Sequence, residues 1–431
     1  MKRWILQIGL VAAACIAAVE LAGAAYFLWQ TGGLIYLNRG PADANDSARS
    51  AEHSPFKQRL HPYFGFTFPY DVDANGVYTN DAGFMQRERV SLPFTPAPDD
   101  FVVVVTGGSV AIRLVMADMH GVPLRDALQA VPAMAGKRVV LISMAQGAQK
   151  QPQHLLALAY LLALGQRIDF VINIDGFNEF ALGYQNDREA VDPVLPAVQL
   201  MIPLALELAD SPAAGLYTEL AHRISQAKNA LARHSGEMHR ARSGLGLVRA
   251  YLLASWDRRI LSTNFRQYQA LIADPNYWSG YKQRLGLDMP YQAHGLQVFD
   301  MLFDLWLRSS QQMKRLAEAN GAGYLHVVQP NQYFSQHVFS AHEREVALSA
   351  PEKHEYRVGV EVGYRLLAER QATLTANGIV SAVDLFDNER EEIYSDGCCH
   401  YTAKGETLLA QFVAAEMERR VPLLPAGPRG H

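Results

Sequence analysis

Ser109 follows Gly107 and Gly108 at the end of an apolar run, where a tight turn presents its hydroxyl at a helix N-terminus and the glycines let a substrate approach the backbone. A hydroxyl is a weak nucleophile at neutral pH and needs a base that a third group orients. The loop Tyr394-Ser395-Asp396-Gly397-Cys398-Cys399-His400-Tyr401-Thr402 offers both, with Asp396 and His400 just ahead of a closing helix. Two further residues stand where a developing oxyanion would need donors. Gly147 has a backbone N–H to give and Asn178 a side-chain NH₂. Each feature alone has an ordinary reading, because Gly-Gly-Ser also makes turns and phosphate loops. Their coincidence at one sheet edge points to acyl transfer through a serine.

The elements that must bring them together read as an α/β domain. Phe101–Val105, Arg138–Ser143 and Ile168–Ile174 are runs rich in β-branched residues, each ending in small or polar residues and each followed by a helical stretch. Gly323–Val328 and Ile379–Leu385 repeat the pattern, and a last helix is expected from about Ala403 to Arg420. Alternation at this spacing predicts a doubly wound parallel sheet, whose ligands bind beyond the carboxyl ends of the strands. Aromatic segments at His61–Tyr70 and Tyr78–Phe84 predict a short β-ribbon beside it. Between the third and fourth strands, residues 181–295 read as an inserted, mainly helical cap, with helical spacing at Leu216–Ala232 and Leu245–Ile260. The expected division is therefore an anchor at 1–37, a linker at 38–55 and an α/β domain with its insertion at 56–431.

The N-terminus decides the expected compartment. After Lys2-Arg3, residues Trp4 to Trp29 are apolar or small except Gln7 and Glu20, long enough to cross a bilayer as one helix with the cationic end inside. Ala22-Gly23-Ala24 also resembles a signal-peptidase site, so a cleaved peptide stands as the competing reading. Either way the rest of the chain is exported; the favoured form is a single-pass protein of the inner (cytoplasmic) membrane with a periplasmic domain. From Asn38 to Ser54 the chain is rich in Gly, Pro, Asp, Asn, Ser and Ala, as a solvated tether would be.

With 431 residues, 49% hydrophobic and 19% charged, the chain has ample material for a core. A net charge of −4 and the lack of a Lys/Arg run exclude nucleic acid as a first choice of partner. Nucleotide-binding glycine loops and the Gly-x-Ser-x-Gly elbow are also missing, Ala111 standing where the elbow's second glycine would be.

The order Gly-Gly-Ser, then a glycine after the second strand, Gly-x-Asn after the third and Asp…His before a terminal helix resembles the SGNH/GDSL hydrolase superfamily, over about residues 100–180 and 320–420. The resemblance implies a flavodoxin-like fold, Ser109 as nucleophile, His400 as base, and an oxyanion hole from Ser109 N–H, Gly147 and Asn178. The aromatic segment His61–Phe84 is also similar to that of membrane-anchored bacterial members of poorly defined activity. Three positions depart from the family pattern. Gly108 replaces the usual Asp, Glu179 follows Asn178 where Asp is commoner, and Asp396 and His400 are one residue further apart than in Asp-x-x-His. Either the loop bulges so that Asp396 still orients His400, or the site runs as a Ser–His dyad.

The expected activity is that of an esterase or O-acyltransferase acting on an envelope glycan or lipid ester. The alternative is a non-catalytic envelope scaffold or glycan-binding protein that keeps the fold. Cys15, Cys398 and Cys399 make no disulfide framework, though Cys398-Cys399 allows a vicinal disulfide or two buried thiols. The histidines, His154 and His326 among them, lack metal-ligand spacing and read as surface or core residues, so neither a metal nor a cofactor is expected. Asp175 and Glu179 read as loop acids, and Tyr277 and Trp278 as packing or groove-lining aromatics.

Overall fold

The computed structural model describes residues 2–38, 58–74, 76–116, 124–197, 200–201, 212–273 and 294–421. Most of the expected linker, His120, Tyr277, Trp278 and His431 lie outside them. Five parallel strands form the main sheet, β1 (Asp100–Gly107), β2 (Arg138–Ala145), β3 (Phe170–Asp175), β4 (Gly323–Val328) and β5 (Ile379–Ser381), in spatial order β2-β1-β3-β4-β5. Along the chain run helices α1 (Lys2–Thr31), α2 (Ser109–Met116), α3 (Phe177–Arg188), α4 (Pro212–His239), α5 (Gly244–Ala273), α6 (Val298–Ala319), α7 (Glu355–Glu369) and α8 (Ala403–Glu418). The chain divides into two compact units, 1–55 with 206–281 and 56–205 with 282–431.

In the sheet unit all eight residues of β1 are buried, which is why its sequence shows no polar alternation. Val103 and Val105 face one core with residues of α2, α3, α7 and α8, while Val102 and Val104 face a second core with helix Gln153–Ala163 and the end of α6. The fifth strand is shorter than expected. Its ladder stops at Ser381, and Ala382–Asp387 turn instead, with Leu385 N–H donating to the Ala382 carbonyl. The aromatic lead-in forms two small antiparallel sheets rather than one ribbon, Arg59–His61 with Gly65–Thr67, and Asp73–Ala74 with Val77–Thr79 and Met85–Gln86. Asn80 Nδ2 donates to the Ser143 carbonyl at 2.8 Å and Gln86 Oε1 accepts its N–H at 2.9 Å, so the lead-in covers the free edge of β2.

The insertion differs from its expected boundaries. Residue 181 falls inside α3, which belongs to the sheet unit: Phe177–Gly183 are buried, and Gly359 and Gly363 of α7 press on Ala181 and Phe180. The inserted helices α4 and α5 group with α1 in one compact unit. They form a hairpin tied by Tyr217 and Tyr268 hydroxyls 2.8 Å apart and by His234 Nδ1 to Asp257 at 2.5 Å. Within this unit Gly9–Thr31 is a helix long and apolar enough to cross a membrane.

Candidate active site

Ser109 opens α2 directly after β1. Gly107 has φ +146°, and a Cβ there would lie 2.6 Å from that of Ala111, so the strand turns into the helix only with glycine. At Gly108 a Cβ would meet only the end of the Asn178 side chain, at Nδ2.

His400 and Asp396 reach Ser109 from the loop before α8. His400 Nε2 is 2.8 Å from Ser109 Oγ, and its Nδ1 is 2.5 Å from Asp396 Oδ2. The extra residue of the loop is absorbed by Asp396 itself. Its Oδ1 accepts the N–H groups of Cys398, Cys399 and His400 at 2.9, 3.1 and 3.3 Å, coiling the backbone until Oδ2 meets the ring. Residues after β4 fasten this coil. Asn331 donates to the Cys398 carbonyl, Gln332 to that of Asp396 and Tyr333 to that of Gly397, while Tyr401 donates to Pro330. The polar run Gln329–Tyr333, visible in the sequence only as a strand end, is therefore part of the site.

The two other strand ends close the edge. A Cβ built on Gly147 would lie 3.8 Å from Ser109 Cβ, and its N–H makes no hydrogen bond among the described residues. Asn178 Nδ2 donates one hydrogen to the Gln149 carbonyl at 2.7 Å and keeps a second. Glu179 ties these ends together, Oε2 accepting from Gly176 N–H at 2.8 Å and Oε1 from Gln151 N–H at 3.0 Å. Of the solvated and hydrogen-bonded readings that the sequence allows, Glu179 takes the second, as a wholly buried clamp.

Beneath the edge, Asp175 accepts from Trp306 Nε1 at 2.8 Å and Asn173 Nδ2 at 2.6 Å and lies 2.6 Å from His326 Nε2. Burial opposes its charge, yet His326 and His154 hold it well below the usual carboxylate range. Burial and the Asp175 charge push Glu179 up to about 7, and burial brings Lys150 down to about 7 against Glu179 and Asp192. Lys150 donates its ammonium to the Leu195 carbonyl and had no marker in the sequence.

In the site itself, burial disfavours the imidazolium of His400, but Asp396 and Cys399 outweigh it and push the ring up to about 10. Burial likewise opposes ionisation of Asp396, while the His400 ring and loop N–H groups hold it far below its ordinary value. Cys398 and Cys399 are free thiols with sulfurs 3.1 Å apart, and Cys399 Sγ is 4.0 Å from Ser109 Oγ. Burial raises Cys399, yet the Cys398 thiol and His400 bring it down to about 6. Ligand atoms of Cys398, Cys399 and His400, and separately of His154, Asp175 and Glu179, lie within 4.8 Å of one another. The second group's carboxylates are already taken by the hydrogen bonds above.

Ser109, Asp396, His400, Gly147 and Asn178 therefore meet at one edge of the sheet unit. No protein-family model matches the chain, and no curated protein matches it.

Proposed function

We propose that the chain is a membrane-anchored, extracytoplasmic serine esterase or O-acyltransferase of the SGNH type, acting on an ester of an envelope glycan or lipid. The observation that carries it is the relay Ser109 Oγ, His400 Nε2, His400 Nδ1, Asp396 Oδ2, with separations of 2.8 and 2.5 Å. The strand order β2-β1-β3-β4-β5 is that of flavodoxin-like sheets, which supports the same class. Lys2-Arg3 at the start of α1 favours a cytoplasmic N-terminus and an inner-membrane location.

In the mechanism Ser109 Oγ attacks the ester carbonyl as its proton passes to His400 Nε2. Asp396 keeps the ring's other proton on Nδ1 and stabilises the imidazolium. The N–H groups of Ser109 and Gly147 and the second hydrogen of Asn178 Nδ2 hold the oxyanion. His400 then returns the proton to the leaving alcohol, giving an acyl-Ser109 intermediate. Water as acceptor completes hydrolysis; a sugar hydroxyl completes transfer.

Release of p-nitrophenol from short-chain p-nitrophenyl esters tests this. The wild type is expected to turn over, and Ser109→Ala, shown folded by circular dichroism, is expected not to. Undiminished turnover by Ser109→Ala would remove the serine mechanism.

A further inference from the structure

Three observations in the anchor unit meet at the tip of the α4–α5 hairpin. The first is a backbone contact between α1 and α5, where a Cβ on Gly23 would lie 2.6 Å from the Gly244 Cα. Such an approach needs glycine on both helices, as in helix pairs packed within bilayers. The second is that polar groups at the tip are satisfied from the anchor segment. Glu20 accepts the N–H groups of Gly244 and Leu245 at 3.0 and 2.7 Å and the Tyr36 hydroxyl at 2.8 Å. Asn38 Nδ2 donates to the carbonyls of His239 and Ala241 at 2.8 and 3.0 Å. Backbone groups left open at the end of α4 and the start of α5 are thereby closed by protein, as a hydrocarbon surrounding requires. The third is that this end turns apolar side chains outward. Leu245, Tyr251 and Leu252 are 46%, 54% and 61% exposed. A cleft of about 270 Å³ opens beside them, lined by Ala22 and Tyr26 of α1, Met238 of α4, and Leu247, Val248 and Tyr251 of α5.

We propose that the hairpin tip is seated in the leaflet from which α1 emerges at its C-terminal end, and that this cleft binds an acyl chain of a membrane lipid. The proposal rests on α1 spanning the membrane, which is the localisation part of the function proposed above. Gly9–Thr31 is the stretch able to cross, and the tip touches it at Glu20–Ala24; hydrocarbon around the one surrounds the other. Water in the cleft would find almost no polar partners, whereas an acyl chain needs none. Outward Leu245, Tyr251 and Leu252, an apolar liability in water, fit lipid.

The test uses the full-length protein in nanodiscs of phosphatidylcholine and phosphatidylglycerol that contain a phospholipid with a diazirine on its acyl chain. After photolysis, adducts are located by peptide mass spectrometry. Adducts are expected on Leu10 and Val11, which face outward on α1, on Leu245 and Leu252, and on the cleft residues Met238 and Leu247. Val248→Trp, or Ala22→Phe should the first variant fail to fold, fills the cleft and is expected to abolish the adducts on Met238 and Leu247 while sparing those on Leu10 and Leu252. Adducts on α1 with none on Leu245 or Leu252 would overturn the seating of the tip. Adducts on Met238 and Leu247 that survive in the folded cleft-filling variant would overturn the cleft as an acyl site. Absence of adducts even on Leu10 and Val11 would overturn the anchor itself, and the proposal with it.

Discussion

At the scale of single residues, the chemistry turns on how His400 is held. A base that Asp396 and Cys399 push up to about 10 is mostly protonated at neutral pH, and only its neutral form accepts the Ser109 proton. Turnover on p-nitrophenyl esters, corrected for spontaneous hydrolysis, should therefore climb as pH rises through neutrality toward 10. Cys399→Ser removes one of the charges that stabilise the imidazolium, so it should shift this limb to lower pH. Asp396→Asn should shift the limb in the same direction, because the ring loses its strongest partner. It should also lower the plateau by roughly 10²- to 10⁴-fold, the cost typical of neutralising a triad acid. A fall under about tenfold would make the site a Ser–His dyad. Spacing in the sequence left triad and dyad open, and for a physical reason: the answer lies in three N–H groups converging on Asp396 Oδ1, a loop conformation that no residue count determines.

At the scale of elements, the site depends on the distance between strand ends, and Glu179 sets it by joining the loop after β2 to the start of α3. Glu179→Gln keeps the shape but turns an amine toward one of the two N–H groups, so it should cost about 1–3 kcal/mol of stability, read from urea unfolding. The pH dependence has a definite sign. With its pKa raised from 4.5 to about 7, Glu179 contributes stability that is fully present below pH 4.5 and lost as pH rises through 7. Glu179→Gln should flatten that decline, and an unchanged pH profile would show that the clamp is not titrating. The strands that carry the site were legible because burial on both faces demands unbroken β-branched runs, as at Val102–Val105. Burial of Lys150, Asp175 and Glu179 was not, since charged residues carry no pattern that separates a satisfied interior network from a solvated loop.

At the scale of the whole molecule, α1 combines two features: a stretch long and apolar enough to cross a membrane and a surface for the inserted hairpin. The second was hidden in the sequence, because Glu20 and Gly244 are 224 positions apart and only the fold brings them together. If the anchor is uncleaved, the protein should stay with membranes after carbonate washing, and its sheet unit should be digested by protease added from the outside alone. A soluble form beginning at Ala25 would establish the cleaved peptide instead. The central claim, that Ser109 is an activated nucleophile, is tested most directly on the intact chain in its membrane. A fluorophosphonate is added, and the modified residue is located by peptide mass spectrometry. The structure predicts a single adduct on Ser109 that is lost in His400→Ala; an unmodified Ser109 in folded wild-type protein, or labelling that survives in His400→Ala, would contradict it.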